Sequence, residues 1–190
     1  MWTLVALILP SCSAAQPADP VVPSSEQPAI TGPPAAFNAD DVAFASAMIT
    51  YHRQAVDLST LASGQSSDNA LTSLASDIGA QHKSDVEVMK VLLLQWNAES
   101  EVNPDPGGRG NATGLGVIDG ATMARLQSLS GAEFDTLWLQ LMIANNRAAL
   151  TVTQTEIDRG VNVDAVATAK RNLNSLQSEL QRSEQLLGAR

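Results

Sequence analysis

The sequence predicts an all-α protein, a four-helix bundle made of two duplicated helical hairpins with a long crossover. Outside a proline-rich segment near the N-terminus, alanine, leucine, serine and glutamine dominate, and the two-residue alternation of strands is nearly absent. Apolar residues recur instead at steps of three and four. A constant offset of 94 residues also aligns one part of the chain with a later part, which indicates an internal duplication. It aligns Asp41 with Asp135, Met48 with Met142, Ile49 with Ile143, Arg53 with Arg147 and Ala55 with Ala149.

The first twelve residues have the features of a signal peptide that ends in a lipobox. The apolar run from Trp2 to Leu9 is too short to cross a bilayer as a helix. The segment from Leu9 to Cys12 resembles a bacterial lipobox, in which Cys12 would be lipidated and become the mature N-terminus. No Lys or Arg precedes the apolar run, which departs from the usual signal pattern. We expect an exported protein, lipid-anchored to the cell membrane and facing the periplasm or cell wall.

Residues 13–36 form the second predicted segment, which holds six of the nine prolines of the chain. A segment this rich in proline has no helical option and favours an extended chain of roughly 70 Å at ~3.1 Å per residue. We therefore interpret it as a tether between the anchor and a domain over residues 37–190.

The first predicted hairpin covers residues 40–97, with helices over 40–62 and 69–97. Asn38 or Asp40 can cap the first helix, and Gly64 with the polar residues after it predicts its end. The second helix carries apolar residues at helical spacing from Leu71 to Trp96.

The crossover, residues 98–131, begins with proline and glycine and contains a short helix over 121–129. The second hairpin, residues 132–187, has helices over 132–159 and 163–187, which Gly160 and Gly188 delimit. Two hairpins joined by a long connection are typical of a four-helix bundle.

The charge of the chain excludes one class of partner. The net charge is −9, and only 11 residues are Lys or Arg. Binding of nucleic acid requires a basic face that neutralises phosphates, which this chain cannot supply. We therefore expect no nucleic-acid partner.

The two histidines of the chain are the candidate metal ligands. His52 lies on the apolar stripe of the first helix, and a turn near residues 66 and 67 places it level with residue 81, so that it faces His82. Asp85 follows His82 by one turn. Two imidazoles and a carboxylate suit Cu(II) or Zn(II), whereas a thioether would add affinity for Cu(I). Met89 is seven residues beyond His82, about 10.5 Å along the helix, so it would need a second ion or simply packs in the core. The sequence thus predicts a copper or zinc site formed by His52, His82, Asp85 and Met89.

The sequence around His52 resembles that of a known family. Residues 37–58, followed by Asp85, Met89 and Trp96, are similar to the bacterial exported family called domain of unknown function 305 (DUF305), and the resemblance covers residues 37–187. The resemblance implies a ferritin-like four-helix fold. Since some members are linked with copper in the periplasm, it also implies copper handling in the cell envelope.

The chain departs from the family pattern where metal would bind, so its ligand motifs are degenerate. Tyr51 replaces a histidine, Leu58 replaces a methionine, and Asp85 replaces the usual glutamate, while His82 stands where glutamine is usual. In the second copy Asn145 and Asn146 replace a histidine pair, and Val152 and Ser183 replace methionines. We expect both asparagines to reach solvent or to pair with neighbours such as Gln177, because an unpaired buried amide costs about 1–3 kcal/mol.

Two classes of function follow, and neither is catalytic. No glutamate precedes a histidine by three residues, as a di-iron carboxylate centre requires, and no nucleophile has a recognisable base. We expect no enzyme. The first class is a lipid-anchored metal-binding protein with one surviving site. The second is a ferritin-like scaffold that has lost its metal and contacts another envelope protein.

Overall fold

The computed structural model describes residues 35–97 and 116–190, which contain helices and no strand. The helices are α1 (Ala39–Gln65), α2 (Asn69–Gln95), α3 (Gly120–Gln127), α4 (Gly131–Arg159) and α5 (Val163–Gly188). The predicted all-α class is therefore confirmed. Residues 1–34, with the predicted signal peptide, Cys12 and most of the tether, lie outside the described residues, as do residues 98–115 of the predicted crossover. Over the described ranges no helix combines the length and apolar character needed to cross a membrane.

The helix ends follow the predicted caps with three exceptions, one of which is Gly188, which was predicted to end α5 but lies inside this helix, whose C-cap is Ala189. Asn38 and Asp41 form a reciprocal capping box, in which each side chain accepts the backbone N–H of the other residue. The prediction that α1 ends before Gly64 is wrong. The helix continues through Gly64 to Gln65, and Ser66 is its C-cap. Helix α2 ends at Gln95 rather than at residue 97, because Asn97 adopts a left-handed conformation with φ of 54°.

The four long helices pack as neighbours in the order α2, α1, α4, α5, and contacts between α2 and α5 close the bundle. Helices α1 and α4 run antiparallel, as two contacts show. The indole Nε1 of Trp138 donates to the carbonyl of Leu58 at 2.8 Å, and the Thr153 hydroxyl lies 3.8 Å from the sulfur of Met48. The arrangement agrees with the predicted pair of hairpins.

The hydrophobic core is divided into two clusters along the bundle. One cluster contains Phe44, Met48, Met89, Trp96 and Leu176. The other contains Leu58, Leu71, Ile78, Phe134 and Trp138. Between these clusters each long helix contributes buried polar side chains at about the middle of its length. These are His52, His82, Asp85, Asn145, Asn146, Asn172 and Glu179. The fold thus places a polar layer across the centre of an apolar bundle.

Candidate metal centre

His52, His82 and Asp85 meet in the polar layer, at the interface of α1 and α2. His82 and Asp85 are three residues apart and therefore share one face of α2. Gly79, one turn before His82, allows the two helices to approach closely, since a Cβ atom on it would lie 3.1 Å from that of Ser59. The close approach brings the rings of His52 and His82 into contact.

The two rings stack, with centroids 4.4 Å apart and an angle of 28° between their planes. One ligand atom from each of His52, His82 and Asp85 lies within 4.8 Å of the others. All three residues are buried, and both histidines are only 1% exposed. The structure therefore brings together three of the four predicted ligands.

The surroundings set the charges of the two rings apart. Burial and the neighbouring charge of His82 lower the pKa of His52 to about 3, although Asp85 opposes this shift. Burial alone would also lower the pKa of His82. Its contacts with Asp85 and Glu179 outweigh burial and raise that pKa to about 9. At neutral pH His52 is thus uncharged while His82 is positively charged, which allows the rings to stack without like-charge repulsion.

Helix α5 contributes two residues that the sequence analysis did not identify. The Oε2 atom of Glu179 lies 3.1 Å from Nε2 of His82, and Nδ2 of Asn172 lies 3.4 Å from Nε2 of His52. Both side chains are buried. The 94-residue offset could have identified Glu179, because it aligns this residue with Asp85. No comparable signal points to Asn172, whose counterpart is Ile78.

Met89, the fourth predicted ligand, packs in the apolar cluster that contains Phe44 and Met48. Its side chain is fully buried. This position agrees with the alternative that Met89 is a core residue.

The asparagines of the second hairpin differ from each other. Asn145 donates to the carbonyl of Tyr51 at 3.3 Å. Asn146 is fully buried, and neither of its amide atoms has a hydrogen-bond partner among residues 35–97 and 116–190. The expectation that both would reach solvent or pair with neighbours such as Gln177 is therefore wrong for Asn146. Asn145 pairs, but with the backbone of the other hairpin.

The donor set fits a small divalent transition-metal ion. Zinc binds imidazole nitrogen at about 2.0–2.1 Å, so its tetrahedral ligands lie roughly 3.3 Å apart. The 4.8 Å set therefore needs to contract by up to about 1.5 Å, a distance that rotation of side chains can supply. Nδ1 of His82 is buried, has no hydrogen-bond partner in the described part of the chain, and lies 3.5 Å from Oδ2 of Asp85. An ion on the Asp85 side of the ring would bind this nitrogen in exchange for the proton that it carries at neutral pH.

Comparison with known proteins identifies the family of the chain. The sequence model described as "Domain of unknown function (DUF305)" matches residues 41–187, which include almost all of the four long helices and the whole polar layer. The chain belongs to the DUF305 family. None of the curated proteins compared with the chain matches it.

Two solved structures of DUF305 proteins resemble this one. A protein of Streptomyces coelicolor, provisionally described as secreted, is 25% identical, with a TM-score of 0.69 over 79% of this chain and 93% of its own. A DUF305 fragment from Deinococcus radiodurans is also 25% identical, with a TM-score of 0.71 over 83% of this chain and all of its own. The fold is therefore shared between family members of different bacteria.

Proposed function

We propose that this DUF305 protein is an exported metal-binding protein, and not an enzyme, that holds one copper or zinc ion in the cell envelope. The observation that supports the proposal is the meeting of His52, His82 and Asp85 between two apolar clusters. Two imidazoles and a carboxylate form a ligand set that suits Cu(II) and Zn(II). Ion handling in the envelope rests on the resemblance to the copper-linked members of the family.

Each residue of the site has a distinct role in this proposal. His52 supplies a neutral imidazole, because burial keeps its pKa near 3. Asp85 supplies negative charge, and the side-chain amide of Gln81 donates to both of its carboxyl oxygens at 3.2 Å and orients it. The amide of Asn172 can be rotated by 180°, so that it can donate to Nε2 of His52 or accept from it. A bound ion would replace the proton of His82 as the positive charge beside this carboxylate.

The metal proposal is tested by titrating the full-length protein with Zn(II) and with Cu(II) by isothermal calorimetry. We expect one ion per chain for the wild type and loss of binding for His52→Ala and for His82→Ala. Asn146→Ala is the matched control, because Asn146 occupies the position of His52 in the second hairpin. Wild-type protein that binds no better than His52→Ala would exclude this function.

The cellular location is proposed on separate grounds. The relative from Streptomyces coelicolor that is provisionally described as secreted supports export, and the lipobox-like segment before Cys12 supports a lipid anchor. Cys12→Ser should release the protein from membranes and remove the mass of the lipid. Unchanged membrane partitioning and unchanged mass in this variant would contradict the anchor.

An interaction scaffold is the second candidate function, and one surface feature favours it. Val88, Val91 and Leu94 follow one another at steps of three residues on α2 and are 36%, 51% and 55% exposed. Apolar side chains at such spacing form a strip that a partner protein can cover. Crosslinking in intact cells should then capture an envelope protein in the wild type and lose it in the Val91→Lys variant. Equal crosslinking in both would contradict this role for the strip.

A further inference from the structure

Glu179 belongs to the second hairpin, yet its carboxylate contacts an imidazole of the first. Its Oε2 atom lies 3.1 Å from Nε2 of His82, whereas Asp85 approaches the opposite nitrogen, Nδ1, at 3.5 Å. The two carboxylates thus flank the same ring on its two sides. The Glu179 side chain is 9% exposed and that of His82 only 1%. A contact so well shielded from water fixes the orientation of the ring.

The contact also selects the tautomer of His82. A carboxylate only accepts hydrogen bonds, so the nitrogen that faces Glu179 must carry hydrogen. In a neutral ring the lone pair then lies on Nδ1, the nitrogen without a hydrogen-bond partner in the described residues. This lone pair is on the side of Asp85, which belongs to the candidate ligand set with His52. Histidines that bind metal commonly have a carboxylate on the second nitrogen in this way.

The two carboxylates also define the charge of a suitable ion. Asp85 and Glu179 together carry two negative charges, and the two histidines are neutral when they act as ligands. A divalent ion therefore makes the buried group neutral, whereas Cu(I) would leave one negative charge in an apolar interior. Isolated buried charge is unfavourable.

We infer that Glu179 is the positioning residue of the site. It holds the Nε2 hydrogen of His82, aims the Nδ1 lone pair at the ion, and favours a divalent ion over Cu(I). This inference rests on the proposed function, and it deepens that function by making the site depend on both hairpins. Glu179 acts through His82 and is not itself assigned as a ligand.

Zinc titration of full-length wild type, Glu179→Gln and Glu184→Gln tests the inference. Glu184 is the matched control, because it lies on the same helix with an exposed side chain that pairs with Arg147. We expect Glu179→Gln to bind zinc 10- to 100-fold more weakly, the usual effect of removing such an orienting partner. Glu184→Gln should bind as the wild type does.

Nitrogen-15 NMR of the zinc-loaded proteins supplies a readout that a merely structural role would not change. His82 should bind zinc through Nδ1 and carry its hydrogen on Nε2 in the wild type, whereas in Glu179→Gln a fraction of the rings should bind zinc through Nε2, because the amide does not hold the ring in one orientation. Circular dichroism is recorded first. If Glu179→Gln loses helicity, Glu179→Asp takes its place, since it keeps the carboxylate but withdraws it by one methylene.

The outcomes separate this inference from the proposed function. If the Glu179 variant binds zinc within twofold of the wild type while His82→Ala does not bind it, the role of Glu179 is wrong. The proposed metal site would then still be supported. Absence of zinc and Cu(II) binding in the wild type would overturn both. Under reducing conditions, Cu(I) that binds as tightly as zinc would contradict the preference for a divalent ion.

Discussion

The two hairpins contribute differently to the polar layer, although they occupy equivalent positions in the bundle. The 94-residue offset pairs His52 with Asn146, His82 with Leu176, Asp85 with Glu179 and Met89 with Ser183. The first hairpin holds both imidazoles. The second holds a carboxylate, Glu179, which contacts an imidazole of the first. A hairpin without imidazoles at these positions can therefore still contribute to the site of the other hairpin.

The largest effect is expected when the first hairpin is made to resemble the second. His82→Leu introduces the residue found at the equivalent position, Leu176, and removes the partner of two buried carboxylates. Breaking a buried ion pair on one side typically costs about 3–5 kcal/mol. We expect a loss of this size in the free energy of unfolding in urea at pH 7. Lys83→Leu, an exposed neighbour, is the control. A loss no greater than in the control would mean that the carboxylates do not depend on His82.

A second difference between the hairpins lies at the end of the bundle where α4 meets α5. Glu156 is fully buried, and its counterpart under the offset, Ala62, carries no charge. Neither carboxyl oxygen of Glu156 meets a donor among the described residues, and its neighbour Asp41 is itself an acid. Two carboxyl groups hydrogen-bond only if one of them holds a proton. Burial, the hydrogen bond to Asp41 and the charges of Asp41 and Asp40 raise the pKa of Glu156 to about 8.

The next largest effect is therefore a dependence of stability on pH. The folded pKa of about 8 exceeds the ordinary value of 4.5, so the stabilisation is complete below pH 4.5 and is lost as the pH rises through 8. The wild type should lose up to about 1.4 kcal/mol per pH unit within this window.

Subtracting the stability curve of Glu156→Gln from that of the wild type isolates this contribution, because His82 also loses stabilisation as the pH rises toward 9. Urea unfolding at several pH values measures both curves, and Glu133→Gln on the exposed start of α4 is the control. Parallel curves for the wild type and Glu156→Gln would show that Glu156 is ionised throughout.

The smallest effect should come from the second hairpin's own polar position. Asn146→Leu removes a buried amide without a described partner, and we expect it to stabilise the protein by about 1–3 kcal/mol. Asn145→Leu is the matched control on the adjacent residue. It should destabilise the protein by about 0.5–1.5 kcal/mol, because it removes the hydrogen bond to Tyr51. Thermal unfolding followed by circular dichroism measures both changes. If Asn146→Leu destabilises the protein instead, the amide of Asn146 has a hydrogen-bond partner, and the polar positions of the two hairpins differ less than described.

The fold class and the facing histidines could be predicted from the sequence, because both depend on local sequence patterns. Apolar periodicity and the capping residues define the helices to within about three residues. The turn between α1 and α2 is short, so counting from it aligns His52 with His82. The contribution of α5 could not be obtained in this way. Which face of α5 meets α2 depends on how the bundle closes, so helical periodicity alone does not identify Asn172 and Glu179 as members of the site.

Asp41 illustrates how one side chain can affect the unfolding of the whole bundle. Its carboxylate accepts the backbone N–H of Asn38 before α1, and those of Val161 and Asn162 before α5. One negative charge thus neutralises the positive ends of two helix dipoles that belong to different hairpins. Fraying at the start of α1 displaces Asp41 and so removes a cap from α5, whereas fraying of α5 leaves the cap of α1 in place. Amide hydrogens in the first turn of α5 should therefore exchange with solvent at least as fast as those of α1.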